Sequence, residues 1–435
     1  MKNVLVLGAG MVGGVMAADL ARDRGLRVTV VDRSTQALAR AARNAKRLAT
    51  PGLRGSASRR GGAPPLRLVE DDASSAAVVK RLAADADLVI GALPSRFGFQ
   101  TLRTLIDAGK SCVDISFMPE DFIELDRAAK KRGVTIVPDC GVAPGMSNML
   151  AGWGVSQLSK PTRLRIMVGG LPRERHWPFE YKAAFSPHDV IEEYTRPSRI
   201  VRNGRVEVRE ALSEPELVNL PGAGTVEAFL TDGLRSLVRT LRVPNMEEKT
   251  LRYPGHIELM RVMRSIGLFS EESMDLHGVR LRPRDLVAAL MFPKWTYEPG
   301  EADLTVMRVE VEGMRHGVPT RLVWDLFDVL DSESGFTSMA RTTGFPATAM
   351  ARLILSGKFR EKGVIAPERA ALGKGVLTAI LRDLAARGVR YEARVEQMGP
   401  ASRAGATTAK RAGATTAKRA GAKAPRNARS RPTRA

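Results

Sequence analysis

Between Val4 and Val137 the chain alternates short apolar runs with longer, more polar stretches. The runs are VLVL (4–7), VTVV (28–31), LRLV (66–69), LVIGAL (88–93), CVDI (112–115) and VTIV (134–137). Closed by glycine or polar residues, they predict buried strands, and the stretches between them, such as 35–49, predict helices. Strands alternating with helices imply a parallel sheet with right-handed crossovers. Ligands of such sheets collect at the carboxyl ends of the strands. Ser95, Asp114, Ser116, Asp139 and Cys140 stand near those ends. From residue 146 the pattern lengthens. TRLRIMVGG, RIVRNGRVEVRE and TVMRVEVEGMRHGVPTRLVWDLFDV alternate apolar and polar positions, which predicts longer antiparallel strands, with RNGR as a hairpin turn. The expected layout is a nucleotide-binding domain over 1–145, an α+β domain over 146–335, and a segment over 336–395 that packs back on the first domain.

The first strand runs into Gly8, Gly10 and Gly13, then a helix-like segment, and the second strand ends at Asp32. A strand, G-x-G-x-x-G, a helix and an acid about 20 residues on make up a dinucleotide-binding Rossmann unit. The first glycine permits the tight turn, the second lets the backbone approach a pyrophosphate, and the third lets helix and strand pack closely. Met11 and Val12 complete the loop. An acid at Asp32 predicts hydrogen bonds to ribose hydroxyls and repulsion of a 2′-phosphate, hence NAD, with NADP the lesser expectation; Arg33 works against that preference. Leu93, Pro94 and Ser95, after the fourth strand, complete the expected cofactor contacts. Lys2 followed by an apolar run has the crude form of a secretion signal, but four glycines and Asp19 interrupt it.

Composition narrows the class. No apolar run reaches the roughly 20 residues of a membrane helix, so no membrane is expected. Two cysteines, Cys112 and Cys140, suit reduced thiols and a cytoplasmic protein. No paired His and Cys stand at metal spacing, so no metal is expected, and no G-x-S-x-G element marks a serine hydrolase. The net charge of +21 is uneven: residues 401–435 hold ten Lys and Arg and no acid. There RAGATTAK at 403–410 repeats at 411–418 with no Val, Ile, Leu, Met or aromatic residue. Such a segment cannot bury enough surface to offset its ordering entropy and is expected to be a disordered basic tail, with at most weak nucleic-acid or polyanion binding. Residues 50–65, rich in Gly, Pro and Arg, read as a surface loop.

The blocks VLVLGAGMVG, VTIVPDCGVAPGMSNMLAG, EYKAAFSPHDVIEEYTRPSRIVRNGRV, GTVEAFLTDGLRSL, EEKTLRYPGH and ARTTGFPATAMARLIL resemble the saccharopine dehydrogenase family, including its L-lysine 6-dehydrogenase branch. The resemblance runs from residue 1 to about 395. It implies a Rossmann domain with an inserted α+β substrate and dimerisation domain, a homodimer, and a nicotinamide-dependent oxidation of a carbon–nitrogen bond through an imine. The implied substrate is a lysine-derived amino acid, saccharopine first and lysine second.

Hydride leaves a carbon that bears nitrogen, so that nitrogen must be unprotonated and a proton acceptor must stand near it. Asp139 and Cys140, at the sixth strand end, and Asp114, at the fifth, are the expected catalytic groups. A substrate carboxylate calls for arginine forks, and Arg196, Arg199, Arg235 and Arg252 lie in the family-like blocks. Tyr181 and Glu193 are expected to hold the substrate amine, and His256, in YPGH, to line the same site. The reading from another class is a non-catalytic Rossmann-fold sensor tethered to nucleic acid by its tail.

Overall fold

The computed structural model describes residues 1–48, 66–298 and 300–399. The expected loop at 50–65 and the basic tail at 401–435 lie outside them. In chain order the first half contains β1 (Lys2–Leu7), α1 (Gly13–Leu20), β2 (Leu26–Asp32), α2 (Thr35–Leu48), β3 (Arg67–Glu70), α3 (Ala76–Ala83), β4 (Leu88–Gly91), α4 (Ser95–Asp107), β5 (Cys112–Asp114), α5 (Asp126–Arg132), β6 (Thr135–Val137) and α6 (Met146–Ser156). The second layer contains β7 (Lys160–Pro172), α7 (Pro187–Thr195), β8 (Ser198–Arg202), β9 (Arg205–Arg209), β10 (Glu216–Leu220), β11 (Gly224–Leu230), α8 (Leu237–Thr240), β12 (Met246–Arg252), α9 (His256–Ser265), β13 (Met274–Leu276), β14 (Val279–Leu281), α10 (Pro283–Trp295), β15 (Asp303–Arg315) and β16 (Val318–Val329). The chain closes with α11 (Ser338–Leu355), β17 (Gly363–Val364), α12 (Pro367–Ala370), α13 (Val376–Ala386) and β18 (Tyr391–Gln397).

All six predicted strands of the first domain form, and with β17 as a seventh they lie parallel in the order β17-β6-β5-β4-β1-β2-β3. The order reverses at β1, where the β1 and β4 ends part and leave a crevice, the usual ligand position in a doubly wound sheet. The predicted hairpin forms between β8 and β9. Asn203 and Gly204 take φ of +49° and +78° there, the left-handed pair that a two-residue turn requires. The long alternating segments become β15 and β16, central strands of a nine-stranded sheet that is antiparallel apart from the β7–β12 pair.

The closing segment serves both sheets. β17 extends the parallel sheet beside β6, and α11 packs on α1. β18 then crosses over and pairs with β16 in the other sheet, which the linear domain division does not anticipate. An ion network ties these elements together. Asp19, fully buried on α1, accepts from Arg352 Nη2 at 2.9 Å, Arg387 Nε at 2.7 Å and Thr348 Oγ1 at 2.7 Å. Asp383 and Asp23 take the remaining edges of the two guanidiniums. Burial alone would raise the Asp19 pKa; the two arginines overcome it and hold the carboxyl well below the usual aspartate range. Among the described residues no helix is long and apolar enough to cross a membrane.

A group with a depressed folded pKa stabilises the fold above its unfolded value, and that stability is lost as pH falls below it. Asp19→Ala takes the fully buried carboxylate from two guanidiniums and leaves them only Asp23 and Asp383, so it should cost about 3 kcal/mol. The expected result in urea unfolding at pH 7 is a lower midpoint. The wild-type advantage should shrink as the pH falls below about 4. Equal midpoints at pH 7 would show the network to be inessential.

Candidate active site

A cleft of about 450 Å³ runs from the β1 and β4 ends of the parallel sheet to β12 and α7 of the second layer. All ten sequence-predicted cofactor residues line it: Gly8, Gly10, Met11, Val12, Gly13, Asp32, Arg33, Leu93, Pro94 and Ser95. Gly13 shows why no other residue serves at its position. A Cβ on Gly13 would fall 2.1 Å from the Gly8 carbonyl oxygen, so helix and strand could not approach. A Cβ on Gly10 would meet no protein atom within 4 Å, so the protein itself leaves that position open. With the α1 N-terminus behind it, this loop fits a dinucleotide pyrophosphate. Asp32 is braced within it: Oδ2 accepts from Ala9 N at 2.7 Å and Oδ1 from Ser34 N at 2.8 Å.

The far end of the cleft is built from one helix face and one strand face. On α7 and its C-cap, Asp189, Glu192, Glu193 and Arg196 stand at helical spacing i, i+3, i+4 and i+7, and all line the cleft. On β12, Glu248, Thr250 and Arg252 alternate with residues of the opposite face and line it too. Asp189 Oδ1 accepts from Ser95 Oγ at 2.8 Å, joining the two layers. Glu192 pairs with Arg196, which stacks at 4.9 Å on Phe117.

Arg252 is buried and pairs with Glu193 Oε2 at 2.6 Å. Its Nε donates to Tyr194 Oη at 3.0 Å, its Nη1 to the Leu251 carbonyl, and its guanidinium sits 4.4 Å over the Tyr181 ring. The bonds behind it run in one direction. His256 Nδ1 faces the Phe179 carbonyl at 2.7 Å and must donate, so Nε2 accepts from the Tyr194 hydroxyl at 2.9 Å. Burial, with the Arg252 charge added, pushes the His256 pKa down to about 3. Tyr181 and His256 therefore support Arg252 from behind and do not line the cleft, contrary to the expectation that they meet substrate.

Two further arginines also depart from expectation. Arg199 forks onto Asp232 at 2.8 and 2.8 Å, and Arg235 forks onto Asp139 at 2.9 and 3.3 Å; neither lines the cleft. The expected catalytic trio lies beneath the cleft floor. Asp139 is consumed by Arg235. Cys140 is fully buried, and burial with the charges of Asp114 and Asp139 pushes its thiol far up, so it stays protonated. Asp114 is buried as well; burial raises its pKa to about 7, while Ser116 donates to it through both N–H and hydroxyl. Ser116, not Asp114, reaches the cleft wall.

Sequence reasoning missed Asp189, Glu192, Glu248, Thr231 and Thr250. The signal was present: D-x-x-E-E-x-x-R at helical spacing and E-x-T-x-R at strand spacing each mark one polar face.

The His256 geometry makes a testable statement. Its imidazole should stay neutral between pH 5 and pH 8, so its ring-proton NMR shifts should not titrate there. A midpoint near the ordinary histidine value of about 6.5 would contradict the bond directions. His256→Phe should raise the KM for an amino-acid substrate by about tenfold through loss of the Tyr194 acceptor, with cofactor affinity unchanged.

The family model described as the saccharopine dehydrogenase NADP binding domain matches residues 4–137, and the one described as the saccharopine dehydrogenase C-terminal domain matches residues 141–389. The chain is 24% identical to the mitochondrial alpha-aminoadipic semialdehyde synthase of Mus musculus over 471 aligned residues, which cover 90% of this chain and 47% of that protein. It thus spans about half the length of the mouse relative. It is 24% identical to the NADP(+)-dependent, L-glutamate-forming saccharopine dehydrogenase of Pyricularia oryzae, covering 84% of this chain and 93% of the other. Apo saccharopine dehydrogenase (L-Glu forming) from Saccharomyces cerevisiae has the same fold, with a TM-score of 0.70 at 19% identity over 91% of this chain and all of that one. With its dinucleotide loop and its substrate-side layer each matched in sequence order, the chain belongs to the saccharopine dehydrogenase family.

Proposed function

We propose that this protein is a nicotinamide-dependent oxidoreductase that oxidises the carbon–nitrogen bond of a lysine-derived amino acid, saccharopine being the leading substrate. The observation that carries this reading is one continuous cleft with a dinucleotide cradle at one end and paired carboxylate and guanidinium groups at the other. The names of the matched family and relatives supply the substrate. Lysine itself stays the second substrate reading.

The cofactor supplies a hydride acceptor when bound; the chain's residues supply position and proton handling. Arg252 has five N–H donors, and three are engaged by Tyr194, Leu251 and Glu193. The spare two suit a substrate carboxylate, with Arg196 as the second cation on the same wall. Phe117 and Val168 line the middle of the cleft, where they limit water around the reacting carbon.

For the cofactor we infer NADP in place of the NAD expected from Asp32. Each Asp32 oxygen already takes a backbone N–H, while exposed Arg33 lines the same end of the cleft and suits a 2′-phosphate. The matched domain and the fungal relatives carry NADP in their names. A homodimer also belongs to the proposal: Ile266, Leu286 and Leu290 leave exposed apolar surface around α9 and α10 for a second copy to cover.

Purified protein with saccharopine and NADP should generate reduced cofactor, seen by its near-ultraviolet absorbance. Cofactor binding without reduction by saccharopine, lysine or close analogues would overturn the oxidoreductase reading in favour of a sensor. Arg33→Ala should raise the KM for NADP by about tenfold and leave that for NAD within about twofold. An equal effect on both would remove the role given to Arg33.

A further inference from the structure

Glu248 is the anomalous charge of the cleft. It stands on β12 beside neutral donors, is 4% exposed, and still contributes to the cleft wall. Its Oε2 accepts from the Thr231 hydroxyl and from Gly233 N at 3.1 Å. Gly233 is required for this seat, since a Cβ there would fall 2.3 Å from the Glu248 carboxyl carbon. Thr231 Oγ1 also lies 2.8 Å from Thr250 Oγ1, so the carboxyl is held by a short hydroxyl chain.

No cation pairs with Glu248 among the described residues. The two acids that act on it each have one: Glu193 has Arg252, and Asp232 has Arg199. The charged groups around Glu248 are thus Glu193 from α7, Asp232 from the β11–α8 loop, and Arg252 four residues along on the same face of β12, already engaged by Glu193. Burial, together with the charges of Glu193 and Asp232, pushes the Glu248 pKa up to about 8, against the donated bonds of Thr231 and Gly233. A buried carboxyl seated rigidly among anions, facing a cleft and lacking a cation, is completed only by a cation that the ligand brings.

We propose that Glu248 is the group that takes the proton from the reacting nitrogen of the substrate. The proposal rests on the oxidoreductase reading above. In the step, the N–H bond of the substrate ammonium breaks and an O–H bond forms on Glu248. The electron pair stays on nitrogen, the carboxylate becomes neutral, and the substrate loses one positive charge. The freed lone pair is what forms the carbon–nitrogen double bond as hydride departs to the oxidised nicotinamide. The neutral carboxyl then stands beside a new iminium and can return its proton to solvent before the next turnover.

Two readouts test this. The first is the pH profile. Glu248 must be ionised to accept, so wild-type kcat/KM with saccharopine should rise with pH through about 8. Glu248→Gln should lower kcat/KM by about 100-fold or more and abolish that limb, while Glu248→Asp should retain a displaced one. Thr231→Val removes a bond that favours the ionised carboxyl, so it should move the limb to higher pH. The second readout is proton release. Titration calorimetry of saccharopine into the protein with reduced cofactor present, where no turnover occurs, is run at pH 7 in buffers of different ionisation enthalpy. Wild type should release about one proton per site, since ammonium binding ionises a protonated carboxyl, and Glu248→Gln should release none. A Glu248→Gln protein with unchanged limb and proton release, or a Thr231→Val protein with an unmoved limb, would overturn the assignment while leaving the oxidoreductase reading intact. Wild-type protein inert toward both saccharopine and lysine would bring down that reading, and this proposal with it.

Discussion

Arg252 is a full positive charge inside the substrate-side layer, and much of the architecture around it exists to make that tolerable. A lone buried cation is costly, and a pair with one carboxylate does not satisfy five donors. Glu193 supplies the countercharge, Tyr194 and a backbone carbonyl take further N–H groups, and the Tyr181 ring offers its electron-rich face. Meeting those demands pins α7 against β12 and draws Tyr194 and His256 into one directed chain of bonds. Burial, with the Arg252 charge beside it, keeps His256 neutral. The cleft wall is the exposed edge of this arrangement.

The two ends of the cleft use different means of recognition. At the sheet end the chain offers backbone: a glycine turn, a helix N-terminus and an aspartate turned inward to brace the loop. At the substrate end it offers side-chain charge, most of it paired in advance. Pre-paired groups hold their positions before a ligand arrives, so little reorganisation is needed on binding. Ser95, at the start of α4, bonds Asp189 on α7 and so links the two ends directly.

The closing segment gives the two layers a common frame. α11 presents Ser, Gly, Ala and Thr to its neighbours and is buried on most of its surface, which lets it lie close to α1 behind the glycine loop. β17 and β18 then add one strand to each sheet. The Asp19 network lies where α1, α11 and α13 converge, so charge pairing, and not apolar packing alone, fixes the helix that carries the dinucleotide loop.

Local pattern determined most of the fold and one end of the cleft. Parallel strands are apolar on both faces, hairpins need positive φ at their turns, and a pyrophosphate needs glycine and a helix start. Each of these is a short-range requirement written into adjacent residues, which is why all ten expected dinucleotide contacts fall on the cleft. The substrate end was only half legible. Charge type singled out Glu193, Arg196 and Arg252, which line the cleft, but it cannot say which acid neutralises which arginine. Asp139 lies 96 positions from Arg235 and Asp232 lies 33 from Arg199, so only the folded chain could show those arginines to be spent on internal pairs. The same long-range pairing leaves Glu248 beside two acids that already have cations, and without one of its own among the described residues. Its neighbour Thr231 is 17 residues away and Glu193, on α7, is further still. Burial and distance set the charge state of a group, and both belong to the tertiary structure.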